Sequence, residues 1–465
     1  MSTEEEGFRD KIATVDVDGK RIWLYPKKQF GKYFTKRAIL AYSLLAFLFA
    51  GPFIRIGGEP LLLMNILERK FVIFGQIFWP QDMFIFALGM VAFVVLVIVF
   101  TVVFGRLFCG WVCPQTIFME MVFRRIEYWI DGDWNEQKKL DRMPWNRHKI
   151  GKRALKWGIF WLISFLIANT FLGYIIGTEE LQEIIFDDPA NHIGGLTAII
   201  VFTTVFFAVF AWFREQVCTT VCPYGRLQGV LLDKKSVVVA YDKVRGENRG
   251  SFRKDEDRAE KGKGDCIDCG LCLHVCPTGI DIRHGTQLEC VSCALCMDAC
   301  DSMMDKVGLE KGLIRYDSEE GISTRTKWKL SGRAKAYIVL MFAIVGLLVA
   351  LILNRSEIEM NVLGLRGTTY TKVNDTTIVN IFKATLLNKT NQDHELTLSV
   401  LSNNATLEAV GGPIHIEKGK RVERQLLIKM FTKDIRSSIT PVTIGLSMDG
   451  ELIEEDEVNF SGPGF

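Results

Sequence analysis

The sequence predicts a multi-domain membrane protein. An α-helical bundle of about five transmembrane helices carries an inserted bacterial two-[4Fe–4S] ferredoxin module and a C-terminal all-β sandwich. Three observations predict this. Five mainly apolar stretches of 17 to 22 residues recur along a 465-residue chain. Eight of the twelve cysteines fall within thirty-five residues, as two copies of one spacing. The last hundred or so residues alternate apolar and β-branched positions with polar ones, as half-buried strands do.

The apolar stretches lie at about 38–54, 83–104, 157–176, 196–213 and 336–353. Each is long enough to cross a bilayer core as a helix. Residues 1–37 carry nine Lys/Arg, the loop at 55–82 three, the loop at 105–156 eleven and the loop at 177–195 none. Basic loops stay on the cytoplasmic side. The N-terminus is therefore expected inside and, after five crossings, the C-terminus outside. The basic segment 1–37 is too long and polar for a cleavable signal, so the first helix is expected to remain as an anchor. Trp79, Trp111, Trp157, Trp212 and Trp328 sit near span ends, where indoles anchor at the interface. A net charge of +2 gives no reason to expect a nucleic-acid partner.

The expected organisation runs in order. Residues 1–37 form a cytoplasmic segment, and 38–242 a four-helix membrane domain. Residues 243–335 form the ferredoxin domain with its linkers, 336–353 the fifth transmembrane helix and 354–465 an outer β-sandwich. The first four helices read as a duplicated hairpin. Phe104-Gly-Arg-Leu-Phe-Cys109-Gly-Trp-Val-Cys113-Pro114 ends one copy and Phe213-Arg-Glu-Gln-Val-Cys218-Thr-Thr-Val-Cys222-Pro223 the other. The charged, glycine-rich stretch 243–264 reads as an exposed linker or partly ordered arm. Strands are expected over 376–385, 396–401, 422–430 and 442–447, with turns at Gly411-Gly412-Pro413 and Asp449-Gly450.

The dense cysteines are Cys266, Cys269, Cys272 and Cys276, then Cys290, Cys293, Cys296 and Cys300. C-x2-C-x2-C-x3-C is the bacterial ferredoxin run, and its last cysteine ligates the other cluster. Cluster 1 is thus expected on Cys266, Cys269, Cys272 and Cys300, and cluster 2 on Cys290, Cys293, Cys296 and Cys276. A pair of structural zinc sites would need paired C-x2-C units with longer spacers. All twelve cysteines fall in segments assigned to the cytoplasmic side or that membrane face, where thiols stay reduced.

Cys109 and Cys113, and likewise Cys218 and Cys222, are spaced i, i+4. On a helix both sulfurs of a pair would share a face, although Pro114 and Pro223 also allow a helix-end turn. Soft thiolates select Cu(I), zinc or iron–sulfur iron. The two pairs could meet as a four-thiolate metal site, or relay electrons from the clusters to a membrane partner. Buried packing is the alternative, since free cysteine behaves as a small hydrophobe. The histidines read as structural or surface residues. Met119, Met121, Met303 and Met304 read chiefly as packing. No phosphate loop, dinucleotide fingerprint or hydrolytic triad is present.

Phe108-Cys-Gly-Trp-Val-Cys-Pro-Gln-Thr116, Val221-Cys-Pro-Tyr-Gly-Arg226, Cys276-Pro-Thr-Gly-Ile-Asp-Ile-Arg283 and the run from Glu289 to Asp301 together resemble the CcoG/FixG family of cytochrome oxidase accessory proteins. The resemblance covers nearly the whole chain. It implies a multi-pass protein of the bacterial inner membrane, with a cytoplasmic ferredoxin domain and a periplasmic immunoglobulin-like C-terminal domain. It also implies a role in assembly of the cbb3-type oxidase, with that enzyme's subunits or assembly factors as partners. Copper ions would be the substrate, reduced from Cu(II) to Cu(I) with electrons carried by the two clusters. Cys109, Cys113, Cys218 and Cys222 would be the copper or relay ligands. The electron donor stays open. Two other functions fit the residues: a quinol-linked electron conduit to another membrane protein, and a non-redox copper-holding scaffold.

Overall fold

Among the described residues of the computed structural model, five helices are long and apolar enough to cross a membrane: Lys32–Phe53, Met83–Phe104, Arg147–Ile176, Ile193–Phe213 and Gly332–Leu353. The structure describes residues 14–16, 18, 20–66, 70–79, 83–254, 257–258, 260–365, 370–374, 376–390, 392–402, 404–409, 412, 414–435, 437–448 and 450–463. Of the expected turn residues, Gly411, Pro413 and Asp449 lie outside these.

Four of the spans begin upstream of their apolar runs, the first and third by the most, each of these two for a local reason. The first starts at Lys32 because a carboxylate from far along the chain caps it. Asp298 accepts hydrogen bonds from the Tyr33 and Phe34 amides at 3.0 and 2.7 Å. Those amides have no intrahelical partner, and negative charge at a helix N-terminus also offsets the macrodipole. Asp298→Ala should therefore cost about 1–2 kcal/mol, the range for losing an N-cap acceptor, read as a lower midpoint in a thermal or denaturant melt. The third span starts at Arg147, where the Asn146 side chain accepts from the Lys149 amide at 2.8 Å. Its first turns carry Lys149, Lys152, Arg153 and Lys156 ahead of the apolar residues.

The two cysteine-bearing hairpin ends do not continue as α-helix. Cys109 lies on the short helix Leu107–Trp111, and Cys113 is the N-cap of Pro114–Ile117. Cys218 lies on a π turn, Val217–Val221, and Cys222 is the N-cap of Pro223–Leu231. Proline at N1 fits a helix start but not a helix interior. Each pair therefore sits at a break between helical segments, the helix-end turn rather than one continuous helical face. Further π turns at Phe118–Phe123 and Val209–Phe213 flank these breaks.

The ferredoxin module is framed by an antiparallel strand pair, Val238–Tyr241 with Ile314–Asp317. The strand at 238–241 places its hydrogen-bonded frame ahead of residue 243. The two cysteine runs fold alike. Asp268 and Gly270 in the first and Ser292 and Ala294 in the second all have positive φ, at 54°, 66°, 52° and 64°. Each left-handed residue turns the chain so that the neighbouring thiols face one point. Glycine adopts this conformation freely, whereas Ala294 is strained by about 1–2 kcal/mol. Helices Leu271–His274 and Leu295–Val307 follow. Val239, Ile280, Ile282, Met297, Met304 and Leu313 fill the core between them. Within 243–264, the buried Arg258 guanidinium donates to the carbonyls of Gly250 and Cys266 at 3.2 Å each. That stretch is folded onto the first cysteine loop rather than held away as an arm.

The chain divides into two units. The second comprises residues 51–86, 174–177 and 348–465. Its β-sandwich has a five-stranded sheet (405–409, 421–431, 377–388 and 358–364 in order, with 371–374 also on 377–388) and a four-stranded sheet (414–416, 394–400, 439–448, 451–461). Period-two residues Ile378, Phe382, Ala384 and Leu386 face Val442, Ile444 and Leu446 in one core. Strands at 62–65, 70–73 and 76–78 form a small antiparallel sheet in the same unit.

Candidate metal centres

Eight cysteines of the ferredoxin module line two neighbouring cavities. Cys266, Cys269, Cys272 and Cys300 line one. Cys276, Cys290, Cys293 and Cys296 line the other, which Cys272 also borders. The last cysteine of each run therefore lies with the first three of the opposite run. Burial pushes the Cys272, Cys293 and Cys300 thiols up to about 12 and Cys290 to about 11. Neighbouring sulfurs add to the rise. Thiols raised in this way make poor free acids, but thiolate is the ligand iron–sulfur clusters take. The residues fit a [4Fe–4S] cluster in each cavity.

The other four cysteines also converge. Burial pushes the Cys218 thiol up to about 12, and Cys113, Cys109 and Cys222 are the charges that raise it further. Cys113 is raised by burial too, against amide donors at Gln115 and Thr116, with Cys109 and Cys222 as its thiol neighbours. Two distant motifs thus bring four cysteines into one neighbourhood, although no three of their sulfurs lie within 4.8 Å of one another. The Gln228 side chain holds the quartet from behind, its Nε2 donating to Cys109 Sγ at 3.4 Å. Arg106 Nε in turn bonds to Gln228 Oε1.

One member of the quartet, Cys109, is packed directly on the ferredoxin module. Cys109 shares an apolar cluster with Val275, Val291, Cys293, Leu295 and Ala299. Gly110 makes the approach possible, because a Cβ there would lie 2.4 Å from the Val291 carbonyl oxygen and 3.0 Å from Cys293 Cα. Backbone cannot yield as a side chain can. Gly110→Ala should cost about 1–3 kcal/mol by overpacking and push the quartet from the second cavity. The readout is a lower melting midpoint.

Three contacts here escaped sequence reasoning. Trp111, expected as an interfacial anchor, donates from Nε1 to Tyr316 Oη at 2.9 Å, and Tyr316 donates to the Ser292 carbonyl at 2.7 Å. The indole is held because this face is covered by the ferredoxin module. Arg37 is 1% exposed and donates from Nε to the Gly110 carbonyl at 2.6 Å. Its two terminal nitrogens have no hydrogen-bond partner. Its charge counters the burial that raises Cys293. His274 stacks on Trp134 with ring centres 4.9 Å apart. A basic residue just before the first apolar run was the one available signal for Arg37, and it reads equally well as a topology determinant.

Comparison with known proteins places these features together. A family described as a 4Fe–4S dicluster domain matches residues 213–319, and a 4Fe–4S binding domain matches residues 86–135. The Ig-like fold at the C-terminus of FixG matches residues 348–463. Protein RdxA of Cereibacter sphaeroides is 36% identical over 88% of this chain and 88% of its own length. Protein RdxB of the same organism is 35% identical over 84% of both chains. Nitrogen fixation protein FixG of Rhizobium meliloti is 30% identical over 96% of this chain and 94% of its own.

Proposed function

The chain belongs to the FixG/RdxA family of membrane iron–sulfur electron-transfer proteins, and from that premise we propose that it reduces Cu(II) to Cu(I) for assembly of a cbb3-type cytochrome c oxidase. The observation that carries the reading is that Cys113, Cys218 and Cys222 neighbour Cys109, which itself packs in one apolar cluster with Cys293. In this reading Cys266, Cys269, Cys272 and Cys300 hold cluster 1, and Cys276, Cys290, Cys293 and Cys296 hold cluster 2. When bound, the clusters supply one-electron transfer at low potential. The chain's own residues do the rest. Four soft sulfurs receive copper and favour its reduced state. Gln228 orients Cys109, as outer-shell partners do for metal ligands. The Trp111–Tyr316–Ser292 contacts fix the quartet against the cluster 2 loop. The basic loops support a location in the bacterial inner membrane, with the ferredoxin module cytoplasmic and the β-sandwich periplasmic. The β-sandwich would then be free to dock on oxidase subunits or assembly factors.

The test is direct. Full-length protein in detergent, its clusters reduced with dithionite and excess reductant removed, is mixed anaerobically with Cu(II) and a chromogenic Cu(I) chelator. Cu(I) should appear in step with cluster reoxidation. Cluster reoxidation without Cu(I), or no reoxidation, rejects the reading. A second reading has its own support, since the 4Fe–4S binding family spans Cys109 and Cys113. The quartet would then hold iron rather than copper. Iron content separates the two: copper reduction predicts the iron of two clusters per chain, unchanged when the quartet is replaced by serine.

A further inference from the structure

Copper reduction consumes electrons, and a cavity on the same unit has the chemistry to supply them. It measures 410 Å³ and lies where the third spanning helix begins and the fourth ends. Trp23, Trp145, Trp157 and Trp212 line it, with Phe160 and Phe207 deeper in. Trp157 and Trp212 are half exposed, at 52% and 58%. The volume and mixed lining are those of a small-molecule site.

The polar groups of the cavity are arranged with one acceptor to spare. Its four cations are all engaged. Lys149 Nζ donates to the carbonyls of Asp141 and Met143 at 2.8 and 2.7 Å. Arg153 pairs with Asp131 and Asp141 at 3.7 and 3.0 Å. Lys156 pairs with Asp131 at 2.6 Å, and Arg214 is bidentate on Glu127 at 2.8 and 2.7 Å. Despite burial, Arg214 and Lys156 hold Glu127 down to about 2. A phosphate or an anionic headgroup would thus find no free cation in the lining. Asp131 is different. It is 3% exposed, both cations bind its Oδ2, and its Oδ1 has no hydrogen-bond partner. A buried acceptor without a donor is unfavourable, so a ligand hydroxyl that supplies one is favoured there. An aromatic cavity at the membrane interface with one unfilled carboxylate acceptor calls for a lipophilic aromatic hydroxyl.

We propose that this cavity binds a membrane hydroquinone and passes its electrons to the iron–sulfur clusters. The inference rests on the electron-transfer reading above and supplies its donor. The balance closes: one hydroquinone becomes one quinone, releasing two protons and two electrons, and each of the two clusters accepts one electron. Asp131 Oδ1 accepts the first hydroxyl proton. Arg153 keeps its own protons and holds Asp131 beside Asp141, whose side chain is half exposed, so Asp131 hands the first proton and then the second to water entering on that side. The electron route is also built. Gln137, on helix Trp134–Arg142, lines the cavity, and Trp134 of that helix stacks on His274, which lies between cluster cysteines Cys272 and Cys276. On the other side, Arg214 opens the segment that leads to Cys218. Its φ of 53° is strained for a non-glycine residue, and its carbonyl accepts from Gln115 beside Cys113 at 3.4 Å.

The test uses full-length, cluster-loaded protein in nanodiscs under anaerobic conditions. Decylubiquinol should bleach the cluster absorbance, and titration with decylubiquinone should quench tryptophan fluorescence saturably. Asp131→Asn should slow hydroquinone-driven bleaching at least tenfold. Trp157→Leu, a change at a half-exposed position that keeps the test open if the first variant folds poorly, should weaken quinone quenching at least tenfold. Cluster absorbance and dithionite bleaching report that each variant is assembled. Wild-type clusters that ignore decylubiquinol, or variants indistinguishable from wild type in both readouts, overturn the proposal. Dithionite-reduced wild type that still forms Cu(I) would then leave the copper reading standing, and the reverse pattern would reject copper while keeping the donor site.

Discussion

Replacing Cys218 and Cys222 together by serine is expected to abolish Cu(I) formation while leaving both ferredoxin clusters in place. In the proposed site the two residues supply half of the four sulfurs, and the eight cysteines outside it line the cluster cavities, where the clusters would occupy their thiolates. A hydroxyl is a hard, weakly acidic ligand and does not replace a thiolate toward Cu(I). Losing an outer-shell partner of a metal ligand costs about 10–100-fold in affinity, so losing two ligands falls at or beyond the upper end of that range. The measurement pairs a competitive Cu(I) titration against a chromogenic chelator with the cluster absorbance of the same sample. Lost copper affinity with unchanged cluster absorbance fits a separate site. Loss of both would mean that the quartet is needed to build the ferredoxin module. Retention of both would remove copper from these cysteines altogether. The single variant Gln228→Ala should fall between, because it leaves the four sulfurs but frees Cys109 from its amide donor.

What the sequence could reveal follows from how local each signal is. Cluster ligands were legible because a cubane is wrapped by a short loop, so the spacing of Cys266 to Cys276 and of Cys290 to Cys300 carries the geometry. The spans were legible because apolar length is a run property. The start of the first was not, because the amides of Tyr33 and Phe34 are capped by Asp298, which follows Tyr33 by 265 residues. Repetition of Cys-x3-Cys-Pro suggested that the two pairs belong together, but not which way they face. Pro114 and Pro223 settle that locally: each starts a new helix, so the second cysteine of each pair becomes a cap. Trp111 was misread for a related reason. Sequence places it at the end of an apolar segment, where an indole meets lipid headgroups, and only the tertiary contact with Tyr316 shows that protein covers it. The cavity around Asp131 left no sequence trace, since its lining is drawn from several separated segments with no shared periodicity.

Arg37→Met should lower the reduction potential of cluster 2 by about 60 mV or more. Arg37 is among the largest fully buried side chains in the described structure, yet it makes one hydrogen bond, from Nε to the Gly110 carbonyl. A buried guanidinium with two unsatisfied terminal nitrogens is costly unless a negative group compensates it. The charge acting on it from the ferredoxin side is that of Cys293, and a thiolate-ligated cluster there would carry more negative charge still. Reduction adds one further negative charge, and a nearby cation stabilises the reduced form. Two unit charges about 10 Å apart at an effective dielectric of about 20 interact by about 1.7 kcal/mol. For a one-electron couple, about 59 mV corresponds to a tenfold change in equilibrium, so removing the charge moves the potential down by at least this order. Methionine keeps the apolar volume on the helix, which separates the charge from the packing. The measurement is an EPR-monitored redox titration of both clusters, with cluster 1 as the internal reference. A drop confined to cluster 2 is the expected result, and Arg37→Lys should restore part of it. An unchanged potential, or equal shifts in both clusters, would mean that Arg37 only braces the Gly110 turn. In the cluster-free protein the same substitution removes an uncompensated buried charge. There Arg37→Met should be neutral or stabilising in a denaturant melt, the opposite of what a purely structural brace would give.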